Sequence, residues 1–280
     1  MKFSICNEVY EDRPFAAACE DAASCGYDGI EIAPFTLAES PHAITERDAK
    51  RVGETARRAG LEVVGLHWLL AGARDVSLTS DDADVRRHTQ EYVSHLARMC
   101  AAMEGKVMVW GSPRQRWIEP EQRRERAESD AVEVVRGVCE VAGPLGVTIA
   151  MEPLSVDEAN FLTTASEAIA FIKRVDHPAC RLLLDVKAMS REQAGYADII
   201  RRGGPYLAHF HANDANRRGP GFGDVDFVPI MAALQKVGYE DYVSVEVFDY
   251  SPDAHTIAEA SLRYLHEAID AIPAPPSNSP

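Results

Sequence analysis

Eight short apolar runs punctuate the chain: Phe3–Cys6, Gly29–Ile32, Leu61–His67, Lys106–Trp110, Val147–Glu152, Arg181–Asp185, Leu207–His211 and Tyr242–Glu246. They are rich in Val, Ile and Leu and are bounded by Gly or Pro. Near-continuous apolar runs are what parallel strands require, because helices cover both faces of a parallel sheet. The longer segments between them carry a helical period instead. Pro14–Cys25 has a proline near its first turn and Gly26 just past its end. Thr45–Ala59 begins on a capping residue type and is stopped by Gly60. Over Asp81–Met103, the residues Val85, Tyr92, Val93, Leu96 and Met99 fall on one side at 3.6-residue spacing. Glu119–Val141, Thr164–Val175, Arg191–Arg202, Phe227–Val237 and Asp253–Ala271 complete the set. Strict alternation of eight strands with eight helices predicts an α/β fold, a single (β/α)8 TIM barrel over residues 1–272. A doubly wound open sheet also alternates, but it would want a Gly-rich phosphate turn after its first strand. The stretch 6–14 has none. Residues 273–280 read as a Pro/Ser-rich C-terminal tail.

Composition narrows the function without naming it. The 280 residues are 46% hydrophobic and 26% charged, the balance of a globular protein with a large core. The net charge of −15 repels phosphate backbones, so no nucleic-acid partner is expected. The six cysteines show no CxxC spacing, which points to buried reduced thiols in a cytoplasmic protein. The first residues lack the apolar core of a signal peptide. The most apolar stretch, Leu61–Ala73, contains Glu62 and His67 and is too short to span a bilayer, so no membrane role is expected.

In a barrel, chemistry gathers at the C-terminal ends of the strands. Here the fifth to eighth runs end in Glu152, Asp185, His211 and Glu246. One carboxylate at a strand end is most often a helix cap or an ion-pair partner. Four polar ends on adjacent strands are different, because buried carboxylates converging on one mouth repel one another. A divalent cation removes that cost. Three carboxylates and one imidazole suit Mn2+, Mg2+ or Co2+, with Zn2+ also compatible.

These residues carry a resemblance that runs over nearly the whole chain. The segments Met151-Glu-Pro-Leu154, Leu183-Leu-Asp185, His209-Phe-His-Ala-Asn-Asp214, Pro220-Gly-Phe-Gly223 with Asp226-Phe227, and Ser244-Val-Glu246 resemble the xylose-isomerase-like TIM-barrel superfamily of sugar isomerases and epimerases. Within it they look most like the D-tagatose/ketose 3-epimerase branch. The resemblance implies that Glu152, Asp185, His211 and Glu246 bind a divalent metal, commonly manganese. It also implies that Glu152 and Glu246 exchange protons with a small sugar through a metal-stabilised enediolate. By the same resemblance Arg217 would hold a substrate oxygen near the carbonyl, and Glu158, at the substrate too, would orient the catalytic Glu. His67, Glu31 and Trp110 border the expected mouth, where the first two would reach sugar hydroxyls; Trp110 reads equally as packing. His209 reads as a core or supporting histidine. A homo-oligomer, dimer or tetramer, is expected.

One departure bears on specificity. Three residues after the ligand Asp, where these epimerases usually carry a His, the chain has Ala188, with Lys187 before it. Lys187 either supplies a substitute cation to the substrate or points outward. The metal set and bases also fit a lyase or dehydratase acting on a keto-inositol or 3-keto-glycoside. An endonuclease-four-like nuclease would want a basic face, and a non-catalytic barrel subunit would predict lost ligands.

Overall fold

The computed structural model describes residues 1–11 and 13–273, and its eight parallel strands close into a barrel in chain order. They are β1 (Lys2–Cys6), β2 (Gly29–Ile32), β3 (Glu62–Leu66), β4 (Val107–Trp110), β5 (Thr148–Met151), β6 (Cys180–Asp185), β7 (Leu207–Ala212) and β8 (Tyr242–Val245). Each pairs with its neighbour in sequence, and β8 returns to β1 with Ser244 opposite Ser4. Closure leaves no open sheet edge. Outside run α1 (Phe15–Cys25), α2 (Glu46–Arg58), α3 (Ala83–Ala102), α4 (Arg124–Ala142), α5 (Ala165–Val175), α6 (Val186–Met189), α7 (Tyr196–Gly203), α8 (Val228–Lys236) and α9 (Ala254–Asp270). The fold is the single (β/α)8 barrel that the alternation predicts. The tail expected at 273–280 lies, beyond Pro273, outside the described residues.

Capping explains most helix starts. Thr45 and Asp48 form a reciprocal capping box on α2, and Asp253 accepts the Thr256 N–H at 2.9 Å on α9. Three helix starts differ from the sequence reading by two residues or more, each for a local reason. α3 begins at Ala83 because Asp82, which accepts the Asp84 N–H at 2.8 Å, is its cap. α4 begins at Arg124 rather than Glu119, since Gln122 folds back to accept the Glu119 N–H and donates to the Thr79 carbonyl. The segment expected as one helix from Arg191 starts at Tyr196, behind a one-turn helix that the sequence reading lacks. Asp185 caps that turn, α6, directly off the end of β6.

The core has two parts. A continuous apolar layer lies between strands and helices, and a small cluster of Val109, Ala150 and Leu183 packs separately from it. All six cysteines are free, and five are buried. Among the described residues, no helix is long and apolar enough to cross a membrane.

The weakest seam lies between β3 and β4, which pair only through Gly65 opposite Val107 and Leu66 opposite Met108. A Cβ at Gly65 would overlap the Val107 carbonyl oxygen, so the close approach depends on glycine. Gly65→Ala should therefore destabilise the fold by about 1–3 kcal/mol or more, the range for overpacking a filled interior. A urea midpoint unchanged from wild type would show that the seam can open without loss.

Candidate active site

Side chains alternate along a strand, and the barrel register turns one set from β5 to β8 toward a shared mouth. Asp185 lies opposite His211, and His211 opposite Ser244, two residues before Glu246. Glu152 directly follows β5, and Glu246 directly follows β8. One donor atom from each of Glu152, Asp185, His211 and Glu246 lies within 4.8 Å of the others. All four are buried, Glu152 being the most exposed at 8%.

Each is held from behind. Asp185 accepts the Ala188 N–H at 2.7 Å with Oδ1 and the Asn213 side-chain amide at 2.5 Å with Oδ2. Asn213 in turn accepts the Lys187 N–H at 2.7 Å. The helix-cap reading of Asp185 and its place in the polar cluster are thus both true. His211 stands between two carboxylates, with Nδ1 3.1 Å from Glu246 Oε2 and Nε2 3.2 Å from Glu31 Oε1. Glu31 is fixed by His209 Nε2 at 2.8 Å. An imidazole whose far nitrogen is held by a carboxylate is the arrangement that orients a metal-ligating histidine.

Glu152 is anchored through its backbone. Arg116, fully buried, donates at 2.7 Å to the carbonyls of Glu152, Trp110 and Gly111, closing the ends of β4 and β5 over one guanidinium. Gly111 leaves the space that the Glu152 carboxylate occupies, which a Cβ would invade. Nothing in the sequence around Ser112-Pro-Arg-Gln-Arg116 marks Arg116 out from its neighbour Arg114, because its role arises only when two strand ends meet.

The electrostatics show the strain of so many acids. Burial, reinforced by charge on Glu246 and Asp185, pushes the Glu152 carboxyl up to about 8. Burial raises Asp185 as well, against the pull of Lys187. Burial alone would raise Glu246 too, but His211 and His67 outweigh it and hold the group below the usual carboxylate range. His211 goes the other way: Glu246 and Glu31 overcome burial and raise it. Three carboxylates that repel one another, held at ligand spacing with an imidazole, fit a divalent cation.

The other expected site residues divide. His67, Glu158 and Lys187 line the cleft with Glu152 and Glu246, and the aromatic residues Trp68 and Phe248 line it too. Lys187 turns inward, donates to Glu158 Oε1 at 2.7 Å and lies 4.3 Å over the Phe248 ring. Arg217 is exposed, with its guanidinium 5.4 Å from the centre of the same Phe248 ring and its carbonyl accepting the Phe248 N–H at 2.9 Å. Glu31 does not border the cleft as expected; it sits behind His211 as a supporting carboxylate. Trp110 is likewise corrected. Alternation along β4 brings Val109 to the cleft, whereas Trp110 packs fully buried in the main core. Sequence reasoning missed Trp68, whose Nε1–H donates to Glu246 Oε1 at 3.0 Å, and Phe248. Their signal was present as aromatic residues two or three positions past a strand end.

The chain as a whole is similar to known proteins. The family model described as xylose isomerase-like TIM barrel matches residues 19–268. The D-psicose 3-epimerase of Agrobacterium fabrum is 29% identical over 237 residues, covering 84% of this chain and 79% of that protein. The D-psicose 3-epimerase of Ruminiclostridium cellulolyticum is 30% identical over 236 residues, covering 82% and 76%. A crystal structure of a D-psicose 3-epimerase in the presence of D-fructose superposes with a TM-score of 0.85 at 24% identity, over 96% of this chain and 99% of that one.

The Arg116 anchor has a measurable consequence. Arg116→Met removes the donor to the Gly111 and Glu152 carbonyls, each worth about 1–3 kcal/mol when left unsatisfied, whereas the Trp110 carbonyl keeps the Glu152 N–H at 3.3 Å. A loss of stability above about 3 kcal/mol in urea unfolding is expected. A loss below about 1 kcal/mol would mean that other donors take over these carbonyls.

Proposed function

The chain belongs to the xylose isomerase-like TIM barrel family, and we propose that it is a metal-dependent sugar epimerase whose reaction is ketose 3-epimerisation. The observation that carries the reading is the pairing of Glu152 and Glu246. They follow β5 and β8, border one cleft, and share a cluster of buried donor atoms with Asp185 and His211. The relatives named as D-psicose and L-ribulose 3-epimerases support a small ketose or keto-sugar as substrate.

Glu152, Asp185, His211 and Glu246 would hold the cation, most suitably Mn2+, with Mg2+, Co2+ and Zn2+ compatible with the same donors. Bound there, a divalent ion supplies Lewis-acid polarisation of a carbonyl beside the C–H bond to be broken. Glu152 and Glu246 approach the cleft from different strands. One takes the proton from one face of the sugar carbon, and the other returns a proton to the opposite face, inverting the centre. Trp68 and the two histidines hold Glu246 ionised and oriented, as acceptance requires. Lys187 and Glu158, paired at 2.7 Å in the cleft wall, offer a donor and an acceptor to sugar oxygens where Ala188 leaves none. Arg217 lies on the rim of the same aromatic wall and would meet a substrate that extends beyond the cleft.

Gently purified protein should contain a tightly held divalent cation, and chelation should lower its melting temperature, because a ligand bound only by the folded state stabilises it. Absence of Mn, Mg, Co and Zn, with no activation when they are added to a panel of ketoses, would contradict the reading.

Glu152→Gln and Glu246→Gln should each lower turnover by at least about 10²–10⁴-fold, the usual contribution of acid–base catalysis. Solvent deuterium exchange separates the two roles. Each variant should still exchange the proton of one epimer and lose exchange with the other. If both variants exchange the same epimer, one mobile base serves both faces and the two-base assignment fails.

A further inference from the structure

Three side chains of different chemistry meet in the outer layer of helices, where α1 packs against α9. Asp21 and Cys25 stand four residues apart on α1, a spacing that puts both on one face of a helix. His255, in the first turn of α9, reaches the same place. Its Nδ1 lies 3.0 Å from Asp21 Oδ1 and 3.7 Å from Cys25 Sγ. One donor atom from each of the three lies within 4.8 Å of the other two. Here the imidazole turns a single nitrogen toward both neighbours.

Hydrogen bonds alone leave this group short of partners. A ring nitrogen carries either a proton or a lone pair, so Nδ1 cannot both donate to Asp21 and accept from the Cys25 thiol. The second carboxylate oxygen, Asp21 Oδ2, is buried and has no hydrogen-bond partner among the described residues. Arg13 approaches Asp21 Oδ1 only to 3.7 Å, a loose pair with a half-exposed guanidinium. A metal ion would take an electron pair from each of the three donors at once. Thiolate, imidazole and carboxylate together suit Zn2+, whereas a thiolate disfavours Mn2+ and Mg2+. The site is also open to an incoming ion. Five of the six cysteines are buried and Cys25 is not, and the His255 side chain is 50% exposed.

We propose that Asp21, Cys25 and His255 form a Zn2+ site that ties the first helix of the barrel to the last. Binding displaces the thiol proton of Cys25 to solvent, and water completes the tetrahedral ion. The location gives the site its effect. β8 closes the barrel onto β1, and α9 packs on β8 and against α1. Already at this seam the Tyr27 hydroxyl donates to the Ala258 carbonyl at 2.9 Å. A metal link there joins Cys25 to a residue 230 positions away, and clips that close long loops restrict the unfolded chain most.

Full-length protein stripped with EDTA is titrated with Co2+, a spectroscopic stand-in for Zn2+ that absorbs in the near ultraviolet when bound to thiolate. Glu152, Asp185, His211 and Glu246 include no sulfur, so cobalt at the barrel mouth adds nothing to that band. The wild type should show a thiolate–cobalt band that saturates at one ion per chain and is abolished by Zn2+. Cys25→Ser should lack the band, and His255→Ala should bind this Co2+ at least about tenfold more weakly, the loss expected from removing even a supporting partner of a metal ligand. Zn2+ should raise the melting temperature of the wild type more than that of Cys25→Ser. No band in the wild type would overturn the inference. So would a band that persists in Cys25→Ser, which would put the thiolate at another cysteine, or one that keeps its wild-type affinity in His255→Ala, which would leave a lone surface thiol. Should either variant fail to fold, the wild type and the other variant decide the question.

Discussion

Carboxylates gathered away from water repel one another, and the repulsion is larger where the surroundings are apolar and no cation stands between them. At the mouth of this barrel Glu152, Asp185 and Glu246 are brought to ligand spacing with His211. Burial first, and then the charges of Glu246 and Asp185, raise the carboxyl of Glu152. Much of the surrounding structure keeps the acids in place despite it. Asn213 and the first turn of α6 hold Asp185, Glu31 and His209 hold His211, and Trp68 holds Glu246. Arg116 secures Glu152 through its main chain and leaves the carboxylate itself free to face the cleft.

The barrel is suited to this because its rigidity and its chemistry lie in different places. Strand pairing and the apolar layer beneath the helices fix where each strand ends. The polar residues then sit at those ends or one position beyond, where the backbone no longer has to serve the sheet. Neighbouring loops are tied across the mouth, as in the bond from the Phe248 N–H to the Arg217 carbonyl, which sets an aromatic ring beneath two cations. The cleft thus combines a charged floor with aromatic walls. That combination suits a polyhydroxylated ligand, whose hydroxyls meet polar groups while its C–H faces stack on rings.

How much of this was legible in the sequence follows from which signals are local. Strand and helix alternation is local, so the eight strands and their order could be read directly from apolar runs. The strand-end residues Glu152, Asp185, His211 and Glu246 were legible for the same reason, since position along a strand fixes their level in the barrel. Facing direction at a short strand was less so. Trp110 sits at the right level but on the wrong face, one residue out of phase with Val109. Partnerships across the barrel were not legible at all. Glu31 reads as a lone acid near the end of β2, and only closure of the barrel sets it against His209 and His211 from β7. Arg116 is the extreme case, because its partners are carbonyls that every residue has. The late start of α7 has a related origin: Asp185 ends a strand, caps a turn and joins the acid cluster, and a helical-period reading sees none of these.

The account stands or falls on whether the clustered acids are a metal centre. Anomalous diffraction at the manganese edge, from crystals grown with Mn2+, tests it most directly. The predicted result is a strong peak within about 2.0–2.3 Å of one donor atom from each of Glu152, Asp185, His211 and Glu246, the range of metal–oxygen and metal–nitrogen bonds. A map with no peak among these four residues, while the side chains keep their positions, would contradict it.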